Sequence, residues 1–147
     1  MSIFGSFDIN ASGLTAQRYR MDVISENVAN ANTTRTEVGT PYRRKAVVFA
    51  EKGNGSNFSS ALNKATGNYK AGGVKVVETF EDTSSDLTKV YDPSHPDADD
   101  DGYVLYPNVN IVTEMTNLID ASRSYEANAT AFSASKNMAL KGLEMGK

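Results

Sequence analysis

The run Asp97-Ala98-Asp99-Asp100-Asp101-Gly102 is the stretch whose residue types and spacing come nearest to a chemical device. It matches the opening of an EF-hand calcium loop, where carboxylates at alternate positions and a glycine at the sixth let the chain wrap a hard cation. The rest of the loop does not follow. Its twelfth position, where a bidentate glutamate closes the coordination shell, is Asn108. The preceding Tyr91-Asp92-Pro93-Ser94-His95-Pro96 carries two prolines and cannot form the entering helix. An acidic turn is the better reading, with a calcium-dependent binding module using Asp97, Asp99 and Asp101 as the alternative.

His95 is the single histidine and lies between Pro93 and Pro96. One imidazole cannot supply a three-ligand zinc site, and no nucleophile elbow or phosphate-cradling glycine loop accompanies it as an acid or base. It reads as a turn residue hydrogen-bonded locally. The chain has no cysteine, which excludes disulfides, thiol catalysis and thiolate metal sites. The sequence therefore predicts no enzyme, no metal and no cofactor.

The net charge is −3, which gives no electrostatic reason to expect nucleic acid or an anionic membrane as partner. Arg43-Arg44-Lys45 is the one basic run and reads as a solvated strand face, or else as a contact to an acidic partner. No apolar run approaches the length of a membrane span. The start, Met1-Ser2-Ile3-Phe4-Gly5-Ser6-Phe7-Asp8, lacks the basic and hydrophobic regions of a secretory signal, so a route outward would avoid the ordinary pathway.

Three segments follow from patterning. From Phe7 to Ala31 the apolar residues Phe7, Leu14, Met21 and Val28 recur every seven, with Ile24 and Ala31 three residues after two of them. That spacing predicts an amphipathic helix. Asp8, Asn10 or Ser12 is expected to cap its start, and Asn32-Thr33-Thr34 to end it. From Arg35 to Tyr106, β-branched and aromatic runs alternate with Gly, Asn, Ser and Pro clusters, predicting strands at Tyr42 to Phe49, Val74 to Phe80, Leu87 to Tyr91 and Tyr103 to Tyr106. The polar Glu81 to Asp86 loop makes a hairpin of the second and third strands the simplest pairing. Lys52 to Gly73, rich in Gly, Asn and Ser, reads as a mobile loop.

After Pro107 the pattern turns helical again, with Asn108 or Asn110 as the cap. A 4-3 spacing picks out Ile111, Met115, Leu118, Ser122, Tyr125, Ala129, Phe132, Lys136, Ala139 and Leu143, all apolar or aromatic except Ser122 and Lys136. Such a helix runs on the order of 50 Å at 1.5 Å per residue, longer than a small insert can cover. Leu, Ile, Val and Phe together make up only about 20% of the chain, a thin core for a globular domain. Either part of the chain stays loose, or its apolar faces are completed by neighbouring chains. The fold expected is α+β: a discontinuous two-helix coiled-coil-like domain from residues 1–34 and 107–147, carrying a small antiparallel β-rich insert at 35–106.

Several stretches together carry a family resemblance. Ser12-Gly13-Leu14-Thr15-Ala16-Gln17-Arg18 with Met21, Val23 and Glu26 to Thr34 resembles the N-terminal signature of flagellar rod and hook proteins. Pro41 to Lys45 with Val47-Val48-Phe49, Tyr91 to Ala98 with Gly102-Tyr103-Val104, Pro107-Asn108-Val109 and Ala121 to Asn128 narrow the likeness to proximal-rod proteins of the basal body. It spans nearly the whole chain, with Gly39-Thr40-Pro41 standing where a Gly-Gly-Pro turn is expected.

The resemblance implies a structural subunit of the drive shaft, located outside the cytoplasmic membrane after export by the flagellar type III apparatus. Its partners would be copies of itself, other rod subunits and neighbouring ring or export-gate proteins, with no nucleic acid and no membrane span of its own. The residues expected to pack between subunits are Leu14, Met21, Ile24, Val28, Ile111, Met115, Leu118, Tyr125 and Phe132. Asn27 and Asn30 are expected to bridge subunits through their amides, fixing helix register as a buried Asn does in a coiled coil, with capping of the helix end as the alternative. A soluble coiled-coil adaptor or chaperone-like module is the rival reading.

Overall fold

A computed structural model describes residues 3–53, 58, 62, 65, 66 and 72–146. Helix α1 spans Ile3–Ala29 and helix α2 spans Ile111–Met145. Between them lie β1 (Lys45–Glu51), β2 (Val74–Glu81), β3 (Thr88–Tyr91) and β4 (Tyr103–Tyr106). Most of the expected Lys52 to Gly73 loop lies outside the described residues; Phe58 and Leu62 within it are exposed.

Helix α1 begins earlier than its apolar repeat, so Asp8, Asn10 and Ser12 sit inside it rather than capping it. The Ser12 hydroxyl donates back to the Ile9 carbonyl at 2.7 Å and accepts the Val74 N–H at 3.0 Å. A competing polar side chain is thus accommodated in the helix because a strand end uses it. At the other end Asn30 closes the helix, its Nδ2 donating to the Glu26 carbonyl and its Oδ1 accepting from the Thr33 hydroxyl. For α2 the cap is Asn110, whose Oδ1 accepts the Thr113 N–H at 3.1 Å.

The strands fall where the sequence places them, but their pairing differs. Strand β2 pairs with β1, and β3 with β4, in place of the expected hairpin of the second and third strands. The β1–β2 ladder is flanked by the Lys52 N–H on the Gly73 carbonyl and the Asp82 N–H on the Arg44 carbonyl, an antiparallel arrangement. Among the described residues its strands are the longest, at 7 and 8 residues. A long connecting loop adds little closure entropy over a short one, so the longer ladder wins. In the second pair Thr88, Lys89, Val90 and Tyr91 lie opposite Tyr106, Leu105, Val104 and Tyr103. The acidic run is the turn of that hairpin: Asp99 Oδ1 accepts the Asp101 and Tyr103 N–H groups, and Gly102 takes a φ of 79°, open to glycine at little cost. His95 Nδ1 accepts the Asp97 N–H at 3.1 Å, the local role expected of it.

The chain divides into two compact units. The first comprises Met1–Tyr19, Phe49–Val77 and Ser122–Lys147. Here Phe7 and Phe132 meet edge to face with centroids 5.1 Å apart. A Cβ on Gly13 would lie 2.9 Å from Asn128 Oδ1, so the helices run antiparallel and touch where one has no side chain. Its buried side chains, among the described residues, are Ala16 and Ser135. The second unit comprises Arg20–Val48 and Glu78–Ala121. It buries Val23, Ile24, Asn27, Ala31, Tyr42, Val104, Glu114 and Ala121.

Candidate functional site

The stripe that α2 turns inward is offset from the expected one. Leu118, Tyr125, Phe132 and Ala139 are half-buried, but the second column is Glu114, Ala121, Asn128 and Ser135, with Glu114 at 1% and Ala121 at 0% exposure. Met115, Ser122, Ala129 and Lys136, one residue further on, are less buried. The sequence pattern favoured the more apolar column, whereas the buried one includes the small Ala121 and Ser135.

Within the second unit, Glu114 enters a buried polar node. Asn27, at 0% exposure, accepts the Tyr42 hydroxyl (2.9 Å) and the Lys45 N–H (2.8 Å) on Oδ1. Its Nδ2 donates to the Lys45 carbonyl (2.8 Å) and to Glu114 Oε2 (3.0 Å). An amide has two donor and two acceptor positions, and all four are filled within this chain. This corrects the bridging expected of Asn27: its amide joins segments of one chain and has no position left for a neighbour. Asn30 likewise directs its amide to its own helix end.

Glu114 Oε1 accepts from Arg44 Nε at 2.9 Å, and the Lys45 ammonium pairs with Glu26. The basic run thus meets acidic groups inside the chain. Arg44 also donates its N–H to Asn108 Oδ1 at 2.9 Å, while Asn108 Nδ2 donates to the Asp82 carbonyl. Burial first, then the charges of Glu26, Glu81 and Glu114, push the Tyr42 hydroxyl well above its ordinary value. It stays protonated and keeps donating to Asn27. At the nearby turn, the Ser85 and Ser84 hydroxyl and N–H groups hold the Asp82 carboxyl well below the usual carboxylate range.

The node contains no activated nucleophile and offers no open substrate position. The acidic turn directs its groups elsewhere too: Asp97 accepts from Thr34 and faces Arg35, and Asp99 faces Lys89. Among the described residues no group of three or more His, Cys, Asp or Glu could hold a metal ion, and no helix is long and apolar enough to cross a membrane.

Of the residues expected to pack between subunits, Ile24 is buried, and Leu14, Met21, Val28, Asn30, Leu118, Tyr125 and Phe132 are half-buried. Ile111 and Met115 are exposed, and they share their side of α2 with Val112 at 75% and Ile119 at 52%. This is an apolar face without cover in the single chain, next to the inward stripe. It offers a surface for packing, not a cleft for chemistry.

Comparison with known proteins decides between a self-contained adaptor and an assembly subunit. Residues 7–35 match the family described as flagella basal body rod protein, and residues 100–145 match the flagellar basal body rod FlgEFG protein C-terminal family. The chain is 50% identical to the flagellar basal-body rod protein FlgC of Bacillus subtilis, with 100% of both chains covered. It is 45% identical to FlgC of Borreliella burgdorferi (94% of this chain, 93% of the relative) and 42% identical to FlgC of Escherichia coli over 100% of both. The chain belongs to the FlgC family of flagellar basal-body rod proteins. Its place is the bacterial flagellar basal body, and its role there is structural.

In this FlgC-family chain, sequence reasoning missed Tyr42, Arg44, Lys45, Asn108 and Glu114. A signal for Glu114 was present: it stands four residues before Leu118, on a helix edge flanked by Ile111, Val112 and Met115. A charge set in an apolar stripe needs a partner. Nothing local names Arg44 as that partner, 70 residues away.

Proposed function

We propose that the chain is a proximal-rod subunit that assembles by packing its terminal segments, 1–34 and 107–147, against neighbouring rod subunits and copies of itself, with 35–106 as the insert they carry. Its work is mechanical. Interlocked helices resist sliding and so pass torque along the rod; the chain makes and breaks no bond and needs no cofactor. The observation that carries this reading is the uncovered apolar face of Ile111, Val112, Met115 and Ile119. Burial of apolar surface at about 25 cal/mol per Å² makes such a face a strong driver of association. Leu14, Met21, Val28, Leu118, Tyr125 and Phe132, each only half-buried, are further contact positions. Ile24 and Asn27 hold the helix that presents them.

Delivery by the flagellar type III apparatus to a site outside the cytoplasmic membrane completes this reading, with ring or export-gate proteins as neighbours at the rod base. The test is deletion of the gene followed by a motility assay and electron microscopy of extracted basal bodies. Non-motile cells lacking complete rods are expected. Motile cells with complete rods would end the proposal.

A further inference from the structure

Arg44 and Lys45 read two helices from adjacent backbone positions. Lys45 holds α1, since its N–H and carbonyl both close on the Asn27 amide, at 2.8 Å each. Arg44 holds the entrance of α2: its N–H meets Asn108 Oδ1 and its guanidinium meets Glu114 Oε1, both at 2.9 Å. Its carbonyl accepts the Asp82 N–H, which fixes the strand edge from which both readings are made. One dipeptide therefore measures where α2 starts relative to where α1 ends.

Packing alone discriminates weakly here. The inward stripe of α2 repeats every seven residues, with large Leu118, Tyr125 and Phe132 in one column and small or polar Ala121, Asn128 and Ser135 in the other. A shift of one repeat again sets large on large in the first column, and in the second it is opposed only where Ser6 or Arg20 would replace Gly13 against Asn128. What such a shift cannot tolerate is Glu114, a carboxylate 1% exposed whose charge would lose both Arg44 and Asn27. A buried ion pair of this kind contributes little net stability, because desolvation offsets the attraction, but its absence in wrong arrangements penalises them.

We infer that Arg44 and Glu114 are positioning residues forming a register key, which fixes the start of α2 against α1 and so aims the Ile111, Met115 and Ile119 face at neighbouring subunits. The inference rests on the rod-subunit reading above for its consequence, and on the contacts within the second unit for its mechanism.

The test uses the full-length Arg44→Met/Glu114→Met double variant, which replaces the charged pair by apolar side chains of similar length, and a near-isosteric Glu114→Gln variant. Both are expected to keep wild-type helix content by circular dichroism. In NMR spectra the Leu118 and Ala121 methyl groups, expected to show one set of signals in the wild type, are expected to give a second set. In a gene-deletion strain the double variant is expected to restore less than a tenth of wild-type swimming. A single wild-type set of signals in both variants, or full motility with the double variant, would overturn the key. Loss of folding in both would show the pair to be a plain stabiliser and would overturn it as well. A deletion strain that itself swims refutes the rod reading instead, so the two failures are distinct.

Discussion

The two units use the same pair of helices in opposite ways. In the second unit α1 and α2 meet through Asn27 and Glu114, a saturated polar contact surrounded by buried Val23, Ile24, Tyr42, Val104 and Ala121. In the first they meet through the Phe7–Phe132 edge contact and the bare backbone at Gly13, and its buried side chains among the described residues are Ala16 and Ser135. One region satisfies its polar groups and closes a core by itself. The other leaves half-buried rings and exposed Met138, Leu140, Leu143 and Met145, while the second unit, its core closed, still carries the exposed Ile111, Val112, Met115 and Ile119 face on its outside. A chain meant to join a larger assembly needs both: a part that sets geometry before partners arrive, and a part whose stability partners supply.

Substitutions in each region sharpen that contrast. The largest effect is expected for Asn27→Leu, which orphans the Tyr42 hydroxyl and the Lys45 N–H and carbonyl. At roughly 1–3 kcal/mol per unsatisfied buried group, full-length stability should fall by about 3 kcal/mol or more in denaturant unfolding. A loss below about 1 kcal/mol would break the claim that the second unit is held by its node. Phe132→Ala in the first unit should cost less, about 2 kcal/mol, because the ring is half-buried and a fully buried Phe costs about 3–5 kcal/mol to truncate. An unfolding loss equal to that of Asn27→Leu would erase the difference between the units.

The smallest effect concerns Gly13. Ala is favoured over Gly inside a helix by about 1 kcal/mol, but the added methyl would meet Asn128 Oδ1 at 2.9 Å. Gly13→Ala alone should therefore change stability by less than about 0.5 kcal/mol, while Gly13→Ala with Asn128→Ala should gain about 1 kcal/mol. Thermal unfolding of the two variants checks this. Equal stabilities would show that Asn128 does not limit the approach of the helices.

Much of the fold was legible in the sequence because it rests on local chemistry. The heptad of α1, the Asn110 cap and the β-branched runs each reflect a preference of neighbouring residues, and each element formed close to its expected place. Strand pairing was not legible: it depends on whether β1, before the long loop, or β3, after the short one, offers β2 the longer ladder, and that comparison is non-local. In α2 the most buried positions include Glu114, Ala121 and Ser135, which a search for apolar character passes over. For the candidate site, the node was not found. Asn27 was singled out as a register residue, but its partners Tyr42, Lys45 and Glu114 lie 15, 18 and 87 residues away.

The exposed face of α2 bears the central claim most directly, and Met115 is the residue to test. It is 54% exposed in the single chain, so a charge there meets water in the monomer and a packed wall only in the assembly. Met115→Asp, supplied to a strain lacking the native gene, is predicted to keep wild-type helix content when purified and yet fail to restore swimming or complete rods. A Met115→Asp protein that folds normally and supports wild-type motility would contradict the claim that this face is built to be covered by neighbouring subunits.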